Sequence, residues 1–249
     1  MSFQDVDETP ADNADRQGIV TFPVPYYTYT LLGCIAAVFI TQFLTSDDPQ
    51  FFNSDSFSAF YAGFDKQKFL HGEYWRILTG TVIHSGILHV GMNSYALYSF
   101  GRLVEMLSNR AHIAIVFLLS AIGGGILSLI FLPNATSVGA SGGIVGLLGY
   151  LAVYAFRRRQ FISPAFRKSL LINIGFILVF GLVLFNRIDN YGHIGGLITS
   201  AVYGFVQIPD DEYVDPRAVG PVTKYLGIAA LGVYILTSIL AILLLVNAR

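Results

Sequence analysis

The chain has 249 residues and a net charge of -1; 54% of its residues are hydrophobic and only 12% charged, with a mean hydropathy of +0.60. Soluble domains carry about 25% charged residues, so this composition excludes a water-soluble globule and a disordered chain, and points to an integral membrane protein. The absence of excess positive charge argues against a nucleic-acid partner.

Residues 1–25 open the chain as an acidic tail. Asp5, Asp7, Glu8, Asp12 and Asp15 stand against a single Arg16, the reverse of a basic leader, and the segment reads as disordered. The first uncharged apolar run is Tyr26 to Leu44. It contains Cys34, the one cysteine, which reads as a packing residue and rules out an internal disulfide. A loop from Thr45 to Gly80 is crowded with aromatics, including Phe57, Phe60, Tyr61, Phe64, Phe69, Tyr74 and Trp75. Such rings suit either the lipid headgroup layer or packing on helix ends.

The second run, Thr81 to Gly101, is weaker in hydropathy because it holds His84, His89 and Asn93. The others are His112 to Leu132, Val138 to Phe156, Ser169 to Asn186, Asn190 to Ile208 and Tyr225 to Val246. Each is long enough to span a bilayer. The predicted class is therefore an all-α polytopic membrane protein of seven helices. Arg102 and Arg110 follow the second helix, and Arg157, Arg158, Arg159, Arg167 and Lys168 follow the fourth. Basic loops mark the cytoplasmic side, which puts the N-terminus in the cytoplasm and the C-terminus outside. The sequon at Asn134 lies in so short a loop that it reads as chance.

Polar groups inside a membrane point to function. The second, fourth and sixth spans all enter from outside, and near their starts stand His84, His89 and Asn93, then Ser141, then His193. Three helices thus bring polar groups to one depth, about 5 Å below the external ends of the fourth and sixth. Gly142 and Gly146 on the fourth helix, and Gly192 and Gly196 on the sixth, form small-residue faces that permit close backbone approach. Such an approach pairs a serine hydroxyl with an imidazole, the minimum for a nucleophile and its base. His89, Asn93 and the Ser141 backbone N–H can act as donors to an oxyanion. A metal site built on His84, His89 and His193 is the competing pattern, but no Cys, Asp or Glu stands beside them within a span. A seven-helix receptor or transporter fits less well, since no ionised group lies mid-span.

These motifs resemble those of the rhomboid family of intramembrane serine proteases. Gly139-Ala140-Ser141-Gly142 is similar to the nucleophile motif, and His84, His89 and Asn93 to the H-x4-H-x3-N pattern. Gly192-His193-Ile194-Gly195-Gly196 is similar to the base motif, and Trp75-Arg76 to the pair in the first external loop. The resemblance covers Tyr26 to Ile208. It implies a six-helix core, residues 26–208, that hydrolyses peptide bonds of transmembrane substrates near the external face of the cell membrane. Ser141 is then the nucleophile and His193 the general base, with His89, Asn93 and Ser141 forming the oxyanion hole. His84, Trp75, Arg76, Gly139 and Val145 are supporting residues, and no metal or cofactor is implied. Asp189 reads as a helix N-cap rather than a third member. Val145 departs from the pattern: family members often carry an aromatic residue there, beneath the histidine. A cytoplasmic linker, residues 209–223, and a seventh helix, residues 224–249, follow the core. A related but non-proteolytic protein that binds client helices is the main rival.

Overall fold

A computed structural model describes residues 24–46, 56–183 and 188–248. Residues 1–23 of the acidic tail, and Asn186 at the end of the fifth apolar run, lie outside the described residues. In chain order the elements are α1 (Tyr26–Thr45), α2 (Ser56–Ala62), β1 (Phe64–Asp65), α3 (Lys66–Leu70), α4 (Arg76–Thr79), α5 (Ile87–Leu107), α6 (Arg110–Phe131), β2 (Thr136–Ser137), α7 (Ser141–Arg157), α8 (Pro164–Val183), α9 (Asn190–Gln207) and α10 (Pro221–Asn247). Helices dominate because a chain surrounded by lipid must satisfy its backbone within each segment.

By length and composition, α1, α6, α8 and α10 are long and apolar enough to cross a membrane. Of the three other long helices, α5 and α9 carry polar and glycine-rich motifs that lower their hydropathy, while α7 is apolar but only 17 residues long. Helix α7 is the centre. It is buried along most of its length and packs against α5, α6, α8 and α9. Helix α8 is the opposite case: only Leu170 and Gly181 are buried, and Leu171, Phe176, Val179, Leu182 and Val183 face outward. Helix α10 packs on α1 and α6, where a Cβ at Gly227 would lie 2.5 Å from the Ala111 Cα.

Some helix starts are closed by side chains. Glu105 of α5 caps α1 from a distance, accepting from the Thr28 N–H and hydroxyl, both at 2.7 Å. Asn109 caps α6 through the Ala111 N–H. Pro221 occupies the first turn of α10, where its missing N–H leaves nothing unpaired.

Two of the helix starts that differ from the hydropathy reading bear on the polar motifs. The second long helix starts at Ile87 rather than Thr81, and the fourth at Ser141 rather than Val138. Gly86, at φ 159°, precedes the first of these and Gly139, at φ 115°, precedes the second; both interrupt helical backbone. His84 therefore lies before the helix and Ser141 is the first residue of its own.

The stretch of residues 56–86, ahead of α5, is built rather than loose. Its short strand β1 pairs antiparallel with β2, Phe64 opposite Ser137 and Asp65 opposite Thr136. This ties the stretch to the segment leading into Ser141. Its aromatics divide: Phe64 is buried, while Phe60, Tyr74 and Trp75 are exposed.

Candidate active site

Ser141 opens α7 and His193 stands in the first turn of α9. The two helices meet through glycine. A Cβ at Gly196 would lie 2.2 Å from the Gly142 carbonyl oxygen, and one at Gly142 would lie 3.4 Å from the Gly192 carbonyl oxygen. The immediate neighbours of Ser141 and His193 are thus in backbone contact. Helix α6 closes the third side. A Cβ at Gly124 would lie 2.5 Å from the Gly192 carbonyl oxygen, and one at Gly195 would lie 2.5 Å from the Gly123 carbonyl oxygen. Among the described residues, no hydrogen bond joins Ser141 to His193, and the His193 Nδ1 is buried without a partner.

Gly139 sits two residues before Ser141, and its missing side chain makes room for two donors. A Cβ there would lie 2.6 Å from His89 Nε2 and 3.3 Å from Asn93 Nδ2. The Asn93 amide nitrogen is buried and unpartnered among the described residues. Ser85 settles which ring nitrogen of His89 is a donor. The Ser85 hydroxyl lies 3.0 Å from His89 Nδ1, and the Ser85 backbone N–H donates to the same atom at 3.4 Å. A backbone N–H only donates, so Nδ1 accepts and the proton of the neutral ring resides on Nε2. His89 Nε2–H and Asn93 Nδ2–H thus converge on the backbone beside Ser141. Hydropathy and motif spacing gave no signal for Ser85, a common residue one place after His84.

His84 is fully buried. Its backbone exchanges hydrogen bonds with the Gln42 side chain, at 2.9 and 3.1 Å, and its ring meets that of His89 edge to face at 5.1 Å. It packs behind His89. Arg76 is also buried. It bonds Glu73 at 2.6 Å and the Gly63 carbonyl at 2.9 Å, bracing the segment that leads into α4. Trp75 is exposed and borders a groove shared with Leu236 and Leu240 of α10. Val145 is buried in α7. Among the described residues, no three His, Cys, Asp or Glu side chains gather as a metal-ligand set.

Asp189 caps α9, its Oδ1 accepting from the Gly192 N–H at 2.9 Å and its main-chain oxygen from the His193 N–H at 3.2 Å. A cavity of about 50 Å³ extends between Ser141, Gly139 and Gly142 on one side and Ser128, Ser137 and Asp189 on the other. That is room for water among groups able to hold it.

The description "Rhomboid domain" belongs to the family model that matches residues 71–210, more than half of the chain. Rhomboid protease GluP of Bacillus subtilis (strain 168) is 36% identical over 174 residues, covering 70% of this chain and 33% of that protein. RHOMBOID-like protein 6, mitochondrial, of Arabidopsis thaliana is 35% identical over 145 residues, covering 57% and 47%. Inactive rhomboid protein 1 of Papio anubis is 33% identical over 139 residues, covering 55% and 16%. The chain spans less than half the length of each of these relatives. With its apolar helices and its match over residues 71–210, the chain is a multi-pass integral membrane protein and belongs to the Rhomboid family.

Proposed function

We propose that the protein is an intramembrane serine endopeptidase that hydrolyses peptide bonds in or near transmembrane segments of membrane-protein substrates, using Ser141 and His193 as a dyad. The observation that carries this reading is the pair of donors, His89 Nε2–H and Asn93 Nδ2–H, left open over Gly139 beside Ser141. Buried polar groups are ordinarily paired. Donors held unpaired next to a hydroxyl suit a negative charge that exists only during reaction.

In this mechanism the Ser141 hydroxyl attacks the scissile carbonyl while His193 removes its proton. The oxygen of the tetrahedral intermediate accepts from His89 Nε2–H, Asn93 Nδ2–H and the Ser141 N–H, which as the first helical amide has no partner within α7. Protonated His193 returns its proton to the leaving amine. Water from the cavity then hydrolyses the acyl-enzyme, with His193 again as base. Removing one such donor typically costs about 2.7–4 kcal/mol of transition-state stabilisation.

All seven long helices cross the bilayer in this reading: α1 and α5 to α9 form the protease core, residues 26–208, and α10 is an additional span. The basic residues near the C-terminal ends of α5 and α7 support a cytoplasmic location for those ends, with the site toward the external face of the cell membrane. The test is cleavage of a model transmembrane substrate in detergent by wild type, Ser141→Ala and His193→Ala. Cleavage by wild type alone supports the dyad. A folded wild type that cleaves no substrate favours a non-proteolytic protein that binds client helices.

A further inference from the structure

Lys66 is a charged side chain with no role in the chemistry above, yet it is fully buried. Its ammonium donates to the Ser137 hydroxyl and lies 3.9 Å from Asp189 Oδ2. Ser137 in turn donates to Asp189 Oδ2 at 2.6 Å, and Ser128 of α6 donates to the same oxygen. The other carboxylate oxygen holds the Gly192 N–H, one residue before His193. One carboxylate therefore gathers α3, β2 and α6 and hands their constraint to the first turn of α9.

The direction of the hydrogen bonds excludes a second Ser–Lys nucleophile here. The Ser137 proton points to Asp189, and the Lys66 ammonium is the donor to Ser137. The relay ends on backbone, not on a reacting atom. Buried ion pairs contribute little net stability compared with apolar residues of similar volume, so a lysine in this place is better explained by where it puts α9 than by how tightly it holds the fold.

We propose that Lys66, acting through Ser137 and Asp189, is a positioning residue that fixes the first turn of α9 so that His193 meets Ser141. The inference rests on the Ser141–His193 reading given above. Two loops are thereby joined: β2 carries Ser137 toward Ser141, and Asp189 carries the same network to His193. A shift of about 1 Å in such a constellation costs up to about 10²-fold in rate.

The test uses the full chain in detergent with a model transmembrane substrate, comparing wild type, Ser141→Ala, Lys66→Met, Lys66→Arg and Ser137→Ala. Lys66→Met and Ser137→Ala should lower kcat by about 10-fold to 10²-fold with KM within about twofold. Lys66→Arg, which keeps the charge and donors, should recover most of the loss. The pH profile adds a second readout. Burial holds the Lys66 ammonium below the ordinary lysine range, opposed by Asp189 and then Asp65, the charged groups that face it. Its proton is therefore lost before that of an exposed lysine, and kcat should fall on that alkaline limb; Lys66→Arg should move the limb upward. Stability should run the other way. The unfolded chain holds this proton more tightly than the folded one, so unfolding free energy should rise as pH climbs from the folded value toward the ordinary one. A merely structural lysine would not separate the two trends.

If wild type cleaves and Ser141→Ala does not, the dyad reading stands and the variants decide the inference. Wild-type kcat in both Lys66→Met and Ser137→Ala would overturn it, as would a loss that Lys66→Arg fails to recover. If Lys66→Met does not fold, Ser137→Ala decides alone, because it removes the middle of the relay without removing a charge. If the folded wild type cleaves nothing, the failure belongs to the dyad reading.

Discussion

The packed helices α5, α6, α7 and α9 hold two clusters of polar side chains, one at the Ser141 end and one further along, and the two are treated oppositely. At the Ser141 end, Asn93 Nδ2 and His193 Nδ1 are buried without partners among the described residues. About 14 Å further along α7 and α9, the polar groups are closed on one another. His112 Nδ1 meets the Tyr203 hydroxyl at 2.8 Å, Ser108 meets the Tyr150 hydroxyl at 2.8 Å, and the His112 and Tyr150 rings stack at 6.0 Å. The residue types are similar; what differs is whether the hydrogen bonds are made. A closed cluster glues helices, whereas an open one holds donors for something that is not yet there. A buried histidine in a membrane protein is thus informative through its partners more than through its depth.

The largest expected effect of breaking this contrast is at the open end. Asn93→Ala should lower kcat by about 10²–10³-fold with little change in KM, because the lost donor acts only in the transition state. Steady-state cleavage of a model substrate measures it, and a loss confined to KM would assign Asn93 to substrate binding instead.

Next comes the glycine seam. Gly196→Ala places a methyl carbon where the Gly142 carbonyl oxygen stands, at 2.2 Å, so α7 and α9 must separate. Overpacking of this kind costs about 1–3 kcal/mol, and the displaced dyad should lose up to about 10²-fold in kcat. Thermal unfolding in detergent and cleavage, measured together, check whether activity falls further than stability.

The smallest effect on turnover belongs to the closed end. Tyr203→Phe leaves His112 Nδ1 without its hydroxyl and should cost about 1–3 kcal/mol of stability. Its kcat should stay within about twofold of wild type. A larger loss of turnover would mean that the two ends are coupled through α9.

The candidate site was legible in sequence where chemistry is concentrated in a few residue types at fixed spacing. Ser141, His193, His89 and Asn93 stand out because each interrupts an apolar run. The glycines of α7 and α9 were legible for a similar reason, since a small-residue face has few uses besides close packing. The start of the second long helix was misplaced because hydropathy averages over a window and cannot see the backbone turn at Gly86. The pairing of β1 with β2 is too short for any period to show. Lys66 was invisible because its meaning depends on Ser137, 71 residues away, and on Asp189 beyond it. A charged residue in a loop looks solvated until the fold buries it. Likewise Asp189 was readable as a cap, but not as the junction of three other elements.

The most direct test of the central claim is covalent labelling of the intact protein with a fluorophosphonate, which phosphonylates only an activated serine hydroxyl, followed by mass mapping of the modified peptide. A single adduct on Ser141 is expected, its formation slowed in Asn93→Ala and abolished in His193→Ala. An unlabelled Ser141 in folded wild-type protein, or labelling that proceeds unchanged in His193→Ala, would contradict it.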